Sequence, residues 1–420
     1  MNSNLTTTGE PMRVWVGALA FLLPFLSLVT SFGVNLASIL FLASALVLFK
    51  SSREALVRHW SQVRWVVLAF LLHFLFLLAC VLLRGEKLTV LEKPARMLLS
   101  ISAMAAVVAV RASRRALWWG ASAGAAAALP FIAWQRFGLH IERPGGFINS
   151  ITFGDLAMLL ALLALAGAID MRERARDALL AGGGALAGLA ASVLTGTRGG
   201  WLALVLAVLV LGRHLVRIDS RQVRALLAAG VAVLAAAWFA PALGVQARFA
   251  QGVHDVQTWY EGGSVWTHVG IRLELWKGAV MLIREHPLFG MDFGACRARL
   301  AEYGQAGLIE PMVLQLPHLH NDGLQVLATG GVVGFVIWAA TLFAPLRFFL
   351  GNMGRKTEHG KHDVRTPQFA VALGGALVVL GYAGFGLTEV IFWSMKGSVF
   401  YALMVFLLMG FCLNAKEKIE

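Results

Sequence analysis

Charge is scarce in this chain. Only 14% of its 420 residues are charged and 58% are hydrophobic, against about 25% and about 45–50% in soluble domains. That shortage excludes a soluble fold. Leu-, Ala- and Val-rich runs reach about 20 residues and recur along almost the whole length, which also excludes a soluble enzyme hung on one anchor. Runs of this kind fit helices, not a barrel. Acidic residues are the scarcer charges, 23 against 36 Lys and Arg, for a formal charge of +13. In a membrane protein such an excess follows from topology and anionic headgroups, so no nucleic-acid partner is expected. Cysteine is almost missing. Cys80, Cys296 and Cys412 lie far apart, which leaves no disulfide framework. No internal repeat appears, and no short signal peptide stands apart: Arg13 leads straight into an apolar run that Pro24 interrupts and others follow, so the first span is expected to stay.

Apolar runs between charged breaks fall at 13–30, 34–49, 64–83, 97–110, 116–135, 151–169, 178–194, 200–216, 223–240, 321–346, 368–387 and 390–412. The expected fold is an all-α polytopic membrane protein of about twelve transmembrane helices. Nine occupy 1–240, a long and partly helical loop occupies 241–319, and three occupy 320–420. Alternate short loops are rich in Lys and Arg, including Arg53, Arg58, Arg114, Arg115, Arg172, Arg174, Arg221, Arg224 and Lys416. Such loops stay cytoplasmic, which puts both termini inside and the long loop outside. In Ala181-Gly182-Gly183-Gly184 the small residues permit close helix packing rather than a phosphate loop.

Some cations on the outer side have no topological explanation. Thr195-Gly196-Thr197-Arg198-Gly199-Gly200 parts two apolar runs. It reads either as a tight turn whose Arg198 reaches headgroups or as an anion site, a guanidinium beside glycine N–H groups that a phosphate can approach closely. Within the loop, Gly270-Ile271-Arg272 opens a segment with helical spacing of Leu273, Trp276, Val280 and Ile283, expected to lie on the membrane. Arg272 near its N-terminus adds charge to a dipole end that already favours anions. The loop ends at Pro317-His318-Leu319-His320-Asn321-Asp322 and runs into an apolar helix. His320 at that helix start, facing the same boundary as Arg198 and Arg272, is placed to take a proton from a hydroxyl, whereas His318 reads as an interfacial hydrogen bonder. Metal binding by the two histidines, with Asp322, Glu310 or His268 added, lacks a compact zinc-type spacing, so no metal and no cofactor is expected. Asp155, after Asn149 and Ser150, reads as part of a helix cap. Glu389, between the last two spans, is either an interfacial charge or a site residue. Arg84, Lys87 and Arg136 are outer cations suited to lipid phosphates.

These residues resemble those of the O-antigen ligases, within the superfamily that includes O-antigen polymerases and protein O-oligosaccharyltransferases. The resemblance rests on the Thr-Gly-Thr-Arg198-Gly-Gly turn, the Arg272 segment in a long outer loop, and His320-Asn321 followed by Gly331-Val-Val-Gly334, which fits the ligase pattern His-Asn-x9-Gly-x-x-Gly. It implies transfer of O-antigen polysaccharide from undecaprenyl diphosphate to the lipid A–core oligosaccharide, at the periplasmic face of a bacterial inner membrane, without metal and with inversion. His320 is then the base, and Arg198 and Arg272 hold the leaving diphosphate. His318, Asn321, Glu389, Arg84, Lys87 and Arg136 assist in binding the two lipid-linked substrates. A polymerase of the superfamily would be expected to carry two substantial periplasmic loops, and a protein oligosaccharyltransferase often a larger carboxy-terminal portion. A transporter for a lipid-linked glycan would be expected to carry ionisable groups at mid-membrane, where His73 is nearly the only candidate.

Overall fold

A computed structural model describes residues 9–197, 199–215, 221–353 and 366–417. Among them there are helices and no strand. The first six are α1 (Gly9–Val29), α2 (Gly33–Val47), α3 (Phe49–Arg84), α4 (Glu92–Leu99), α5 (Ile101–Val110) and α6 (Arg114–Ala133). Then come α7 (Ser150–Asp170), α8 (Ala175–Leu194), α9 (Gly199–Leu215), α10 (Arg221–Phe239), α11 (Val245–Tyr260), α12 (Gly270–Glu285) and α13 (Phe293–Gln305), and finally α14 (Asp322–Gly351), α15 (Pro367–Phe385) and α16 (Met395–Lys416). Nine described helical stretches are long and apolar enough to cross a membrane, α4 and α5 counting as one, while α2, α9 and α10 are apolar but shorter.

Helices in lipid associate through close contact, since lipid tails are as apolar as leucine. Small residues supply that contact here. A Cβ on Gly120 would strike the Phe21 backbone, which draws α1 against α6, and one on Gly184 would lie 2.7 Å from Ser122 Cα, which draws α6 against α8. Of the Gly182–Gly184 run, Gly182 seats Leu226 of α10 and Gly184 meets α6, while Gly183 faces open space. At one end of the bundle Arg114 and Trp118 bind Asp170, and Glu417 meets Arg58, His59 and Arg111. The other end carries the extramembrane segment.

That segment has its own core, in which Leu275, Ala279 and Leu282 of α12 pack with Cys296 and Leu300 of α13 and with Val313 and Leu319. The sequence pointed to Leu273, Trp276, Val280 and Ile283 as an apolar face laid on the membrane. The face that α12 buries within the protein is Leu275, Gly278, Ala279 and Leu282, packed toward α13, while Val280 stays 41% exposed.

The segment is seated in a break in α14. Gly331 (φ 62°, ψ −167°) interrupts the helix, and the freed backbone groups find partners in the loop: Val332 N–H donates to Pro287 O (2.8 Å), Val333 N–H to Leu288 O (3.1 Å), and Met291 N–H to Ala328 O (3.0 Å). Unsatisfied backbone is costly at membrane depth, and this exchange removes the cost. Arg84 clamps the junction by donating to Thr329 O (3.1 Å), Phe289 O (2.7 Å) and Gly290 O (3.3 Å). A side chain at 331 would collide with the Leu288 backbone in a region of φ/ψ space open only to glycine. Gly331→Ala is therefore expected to destabilise the protein by about 2 kcal/mol or more, and Gly183→Ala to be neutral. Thermal unfolding in detergent, followed by tryptophan fluorescence, checks both.

Candidate functional site

His318 and His320 meet a partner from far along the chain. Glu389, in the turn between α15 and α16, presents one carboxylate oxygen to each: His318 Nε2 lies 3.1 Å from Oε1 and His320 Nδ1 lies 3.0 Å from Oε2. The His320 backbone N–H donates to His318 Nδ1 at 3.3 Å. This bond fixes the tautomers. With Nδ1 accepting, neutral His318 carries its proton on Nε2 and donates it to Glu389. His320 donates Nδ1–H to the same carboxylate, which leaves the lone pair on Nε2, and that atom bonds to no described residue. The two side chains remain 11% and 15% exposed, against 6% for Glu389. Burial pushes the Glu389 carboxyl up, but the hydrogen bond from His320 and the two imidazoles bring it below its usual range. Burial carries His318 down to about 4 against the pull of Glu389, which keeps it neutral.

His320 itself adopts a left-handed backbone (φ 52°), an uncommon state for a residue with a Cβ. Its neighbours hold it there. Asn321 caps α14, its Oδ1 accepting from Leu324 N–H (2.9 Å) while its Nδ2 donates to Leu387 O (3.0 Å). Trp276 of α12 donates to Leu319 O (2.9 Å). Asn321, read from the sequence as a substrate contact, thus serves as the cap and tie that positions His320. Glu389 likewise has each carboxylate oxygen engaged by a histidine.

A cleft of about 490 Å³ opens beside this centre. It is lined by Arg143, Arg248, Arg272 and His268 and by the apolar Trp201, Leu202, Val205 and Trp238. Arg272 stands at the first turn of α12 and forms no hydrogen bond with a described residue; burial pushes its guanidinium below the usual value, opposed by the nearby Glu389 carboxylate and reinforced by Arg143. It stays charged. Arg248 is anchored by donating to Gly196 O (3.0 Å) and Glu142 Oε1 (3.3 Å).

Arg198 lies outside the described residues. The residues on either side, Thr197 and Gly199, both line the cleft. Its turn is tight: Gly196 has φ 68°, the Thr195 and Thr197 hydroxyls lie 3.0 Å apart, and Gly154 of α7 leaves room for both, since a Cβ there would meet their oxygens. Asp155 is not the cap of α7. Asn149 fills that role, accepting from Thr152 N–H at 2.8 Å, and Asp155 sits fully buried beyond the first turn, without a hydrogen bond to a described residue, facing Gly199 and Thr388.

The remaining outer cations are elsewhere. Arg84 is engaged by three backbone carbonyls, of Thr329, Phe289 and Gly290. Lys87 is exposed before a 3-10 turn, and Arg136 lies in the π turn that closes α6; neither lines this cleft. A second cleft, about 230 Å³, lies between α3, α4 and α14 on the far side of the Glu389 turn. Thr388 lines the first cleft and Val390 the second, so Glu389 stands in the wall between them. In the second, Lys93 donates to Phe392 O and Trp393 O (3.0 and 2.7 Å), and Asp322 is buried. Arg143 and Arg248 belong to the outer cations that topology leaves unexplained, with no role assigned by the sequence, and nothing in the sequence marks Trp201 or Trp238 as cleft residues.

Residues 183–339 match the family model described as O-antigen ligase. Over that stretch, which is less than half of the chain, the protein is similar to the O-antigen ligase family. The matched stretch runs from α8 into α14 and holds Arg272, His318, His320 and the Gly331 break, while Arg143 and Glu389 lie outside it. A Haemophilus influenzae protein described only as uncharacterized is 21% identical over 372 residues, covering 88% of this chain and 91% of its own.

Replacing the cap, Asn321→Ala, removes one helix N–H partner and the tie to Leu387. It is expected to cost about 1 kcal/mol, read as a lower unfolding midpoint in detergent.

Proposed function

We propose that the protein is an O-antigen ligase, moving polysaccharide from undecaprenyl diphosphate to the lipid A–core oligosaccharide at the periplasmic face of the inner membrane. In this reading twelve spans cross the membrane, with both termini cytoplasmic. The observation that carries the proposal is His320 held on the Glu389 carboxylate, with Thr388, the neighbour of Glu389, lining an amphiphilic cleft that bears arginines.

The first cleft suits the donor. A polyprenyl chain needs an apolar slot continuous with the bilayer, which Trp201, Leu202, Val205 and Trp238 supply, and a diphosphate needs cations, which Arg272, Arg143 and Arg248 supply. Arg198, outside the described residues, is assigned to the same phosphate from the sequence, its neighbours Thr197 and Gly199 lining this cleft. Guanidinium forks bind phosphate oxygens in pairs and hold their charge in a low-dielectric site, where stabilising a leaving anion counts most. The second cleft has Arg84 and Lys93 already engaged with backbone carbonyls, so it suits a glycolipid acceptor better than a second diphosphate.

In the step itself His320 Nε2 takes the proton of the acceptor hydroxyl. That oxygen bonds to the anomeric carbon, the bond from this carbon to the diphosphate breaks, and the configuration inverts. Glu389 stabilises the imidazolium that forms. The arginines hold the undecaprenyl diphosphate, which needs neither a metal nor a cofactor to leave.

Purified protein given undecaprenyl-diphosphate-linked glycan and lipid A–core, with chelator present, is expected to yield a lipopolysaccharide ladder. A glycan lengthened on its lipid carrier instead would point to a polymerase, and no product from folded protein would overturn the reading. In the same assay His320→Ala is expected to lower the rate by about 10²–10⁴-fold. Arg272→Lys should also be slow despite keeping its charge, because the planar fork is lost.

A further inference from the structure

We propose that His318, His320 and Glu389 also form a binding site for a zinc-class divalent cation, and that an ion bound there turns transfer off. His318 Nε2, His320 Nδ1 and a Glu389 oxygen all lie within 4.8 Å of one another. The two nitrogen–oxygen separations are 3.1 and 3.0 Å. Donors around a tetrahedral zinc ion, at bonds of about 2.0–2.1 Å, stand roughly 3.3 Å apart, so the two histidines, each paired with one oxygen of the same carboxylate, become a ligand set by drawing together from separations of at most 4.8 Å. Two imidazoles and one carboxylate leave a fourth position for water, as in open zinc sites. Magnesium and calcium, which prefer oxygen donors, fit poorly.

The surroundings set a moderate affinity. An ion on His318 Nε2 moves that ring's proton to Nδ1 and forfeits the bond from the His320 N–H. Arg272, in the field of Glu389, opposes a cation, as does Arg143 near it. Reduced activity follows from the tautomer. With Nδ1 of His320 on the ion, the single proton of the neutral ring sits on Nε2, the atom that must accept the hydroxyl proton. This inhibitory consequence rests on the ligase reading; the binding does not.

The test uses full-length, tag-free protein in detergent, without substrate, titrated with cobalt(II) and followed by its visible ligand-field bands, with zinc(II) as competitor. About one equivalent is expected to bind, displaced by zinc and not by millimolar magnesium. Binding should vanish in His318→Ala and Glu389→Ala and persist in His318→Cys, where a thiolate replaces the imidazole; thermal unfolding shows that each variant is folded. Absent bands, or bands unchanged in both alanine variants, would overturn the site. In the transfer assay zinc is expected to slow the wild type by roughly tenfold or more, reversed by chelator. Stoichiometric zinc binding with unchanged transfer would overturn the switch. A protein that binds the ion but transfers no glycan under any condition would overturn the ligase reading and leave the ion site standing.

Discussion

One carboxylate accepting two imidazoles holds the centre of this protein together. Glu389 lies in the turn between α15 and α16, and His318 and His320 end the extramembrane segment, so their contact ties the two parts across a stretch that neither spans alone. A buried carboxylate is expensive unless hydrogen-bonded, and here each oxygen has a donor. The same bonds decide where protons sit, because the His320 backbone N–H occupies His318 Nδ1. Structural attachment and the chemical state of His320 thus share one cause.

The second constraint is the broken helix. Ending α14 at Gly331 would leave backbone groups bare in the apolar layer, and the Pro287–Met291 loop meets them with its own. Arg84 then closes the junction. The extramembrane segment is therefore seated at two places, at the break through α14 and at the carboxylate through the histidines, and Arg272 on α12 is carried to the cleft as a result.

Much of this was legible in the sequence and some was not. The apolar runs marked the helices because composition alone decides what can sit in lipid. Arg272 and His320 stood out because charge at a membrane boundary needs a reason. The role of Glu389 was hidden: 69 residues separate it from His320, and no local pattern reports a contact made by tertiary folding. Arg84 looked like a lipid-phosphate ligand because the sequence does not show that a helix breaks opposite it. Helices α11 and α13 escaped notice because they carry polar residues; α13 buries one face in a small local core, and α11 buries only Asp255. The face that α12 packs against α13 was not legible for the same reason, since its partner lies elsewhere in the chain. Asp155 was taken for part of a cap that Asn149 already provides.

The central claim is that Glu389 keeps the His320 proton on Nδ1. Glu389→Gln tests it most directly, since the amide keeps the size of the side chain but can accept from only one ring while donating to the other. Either orientation fails: an amide NH2 facing His320 forces that ring's proton onto Nε2, and one facing His318 forces a proton toward the His320 N–H. The initial rate of glycan transfer by the folded Gln variant is the measurement. The account predicts a fall of about 10²-fold or more; a rate close to that of the wild type would contradict it.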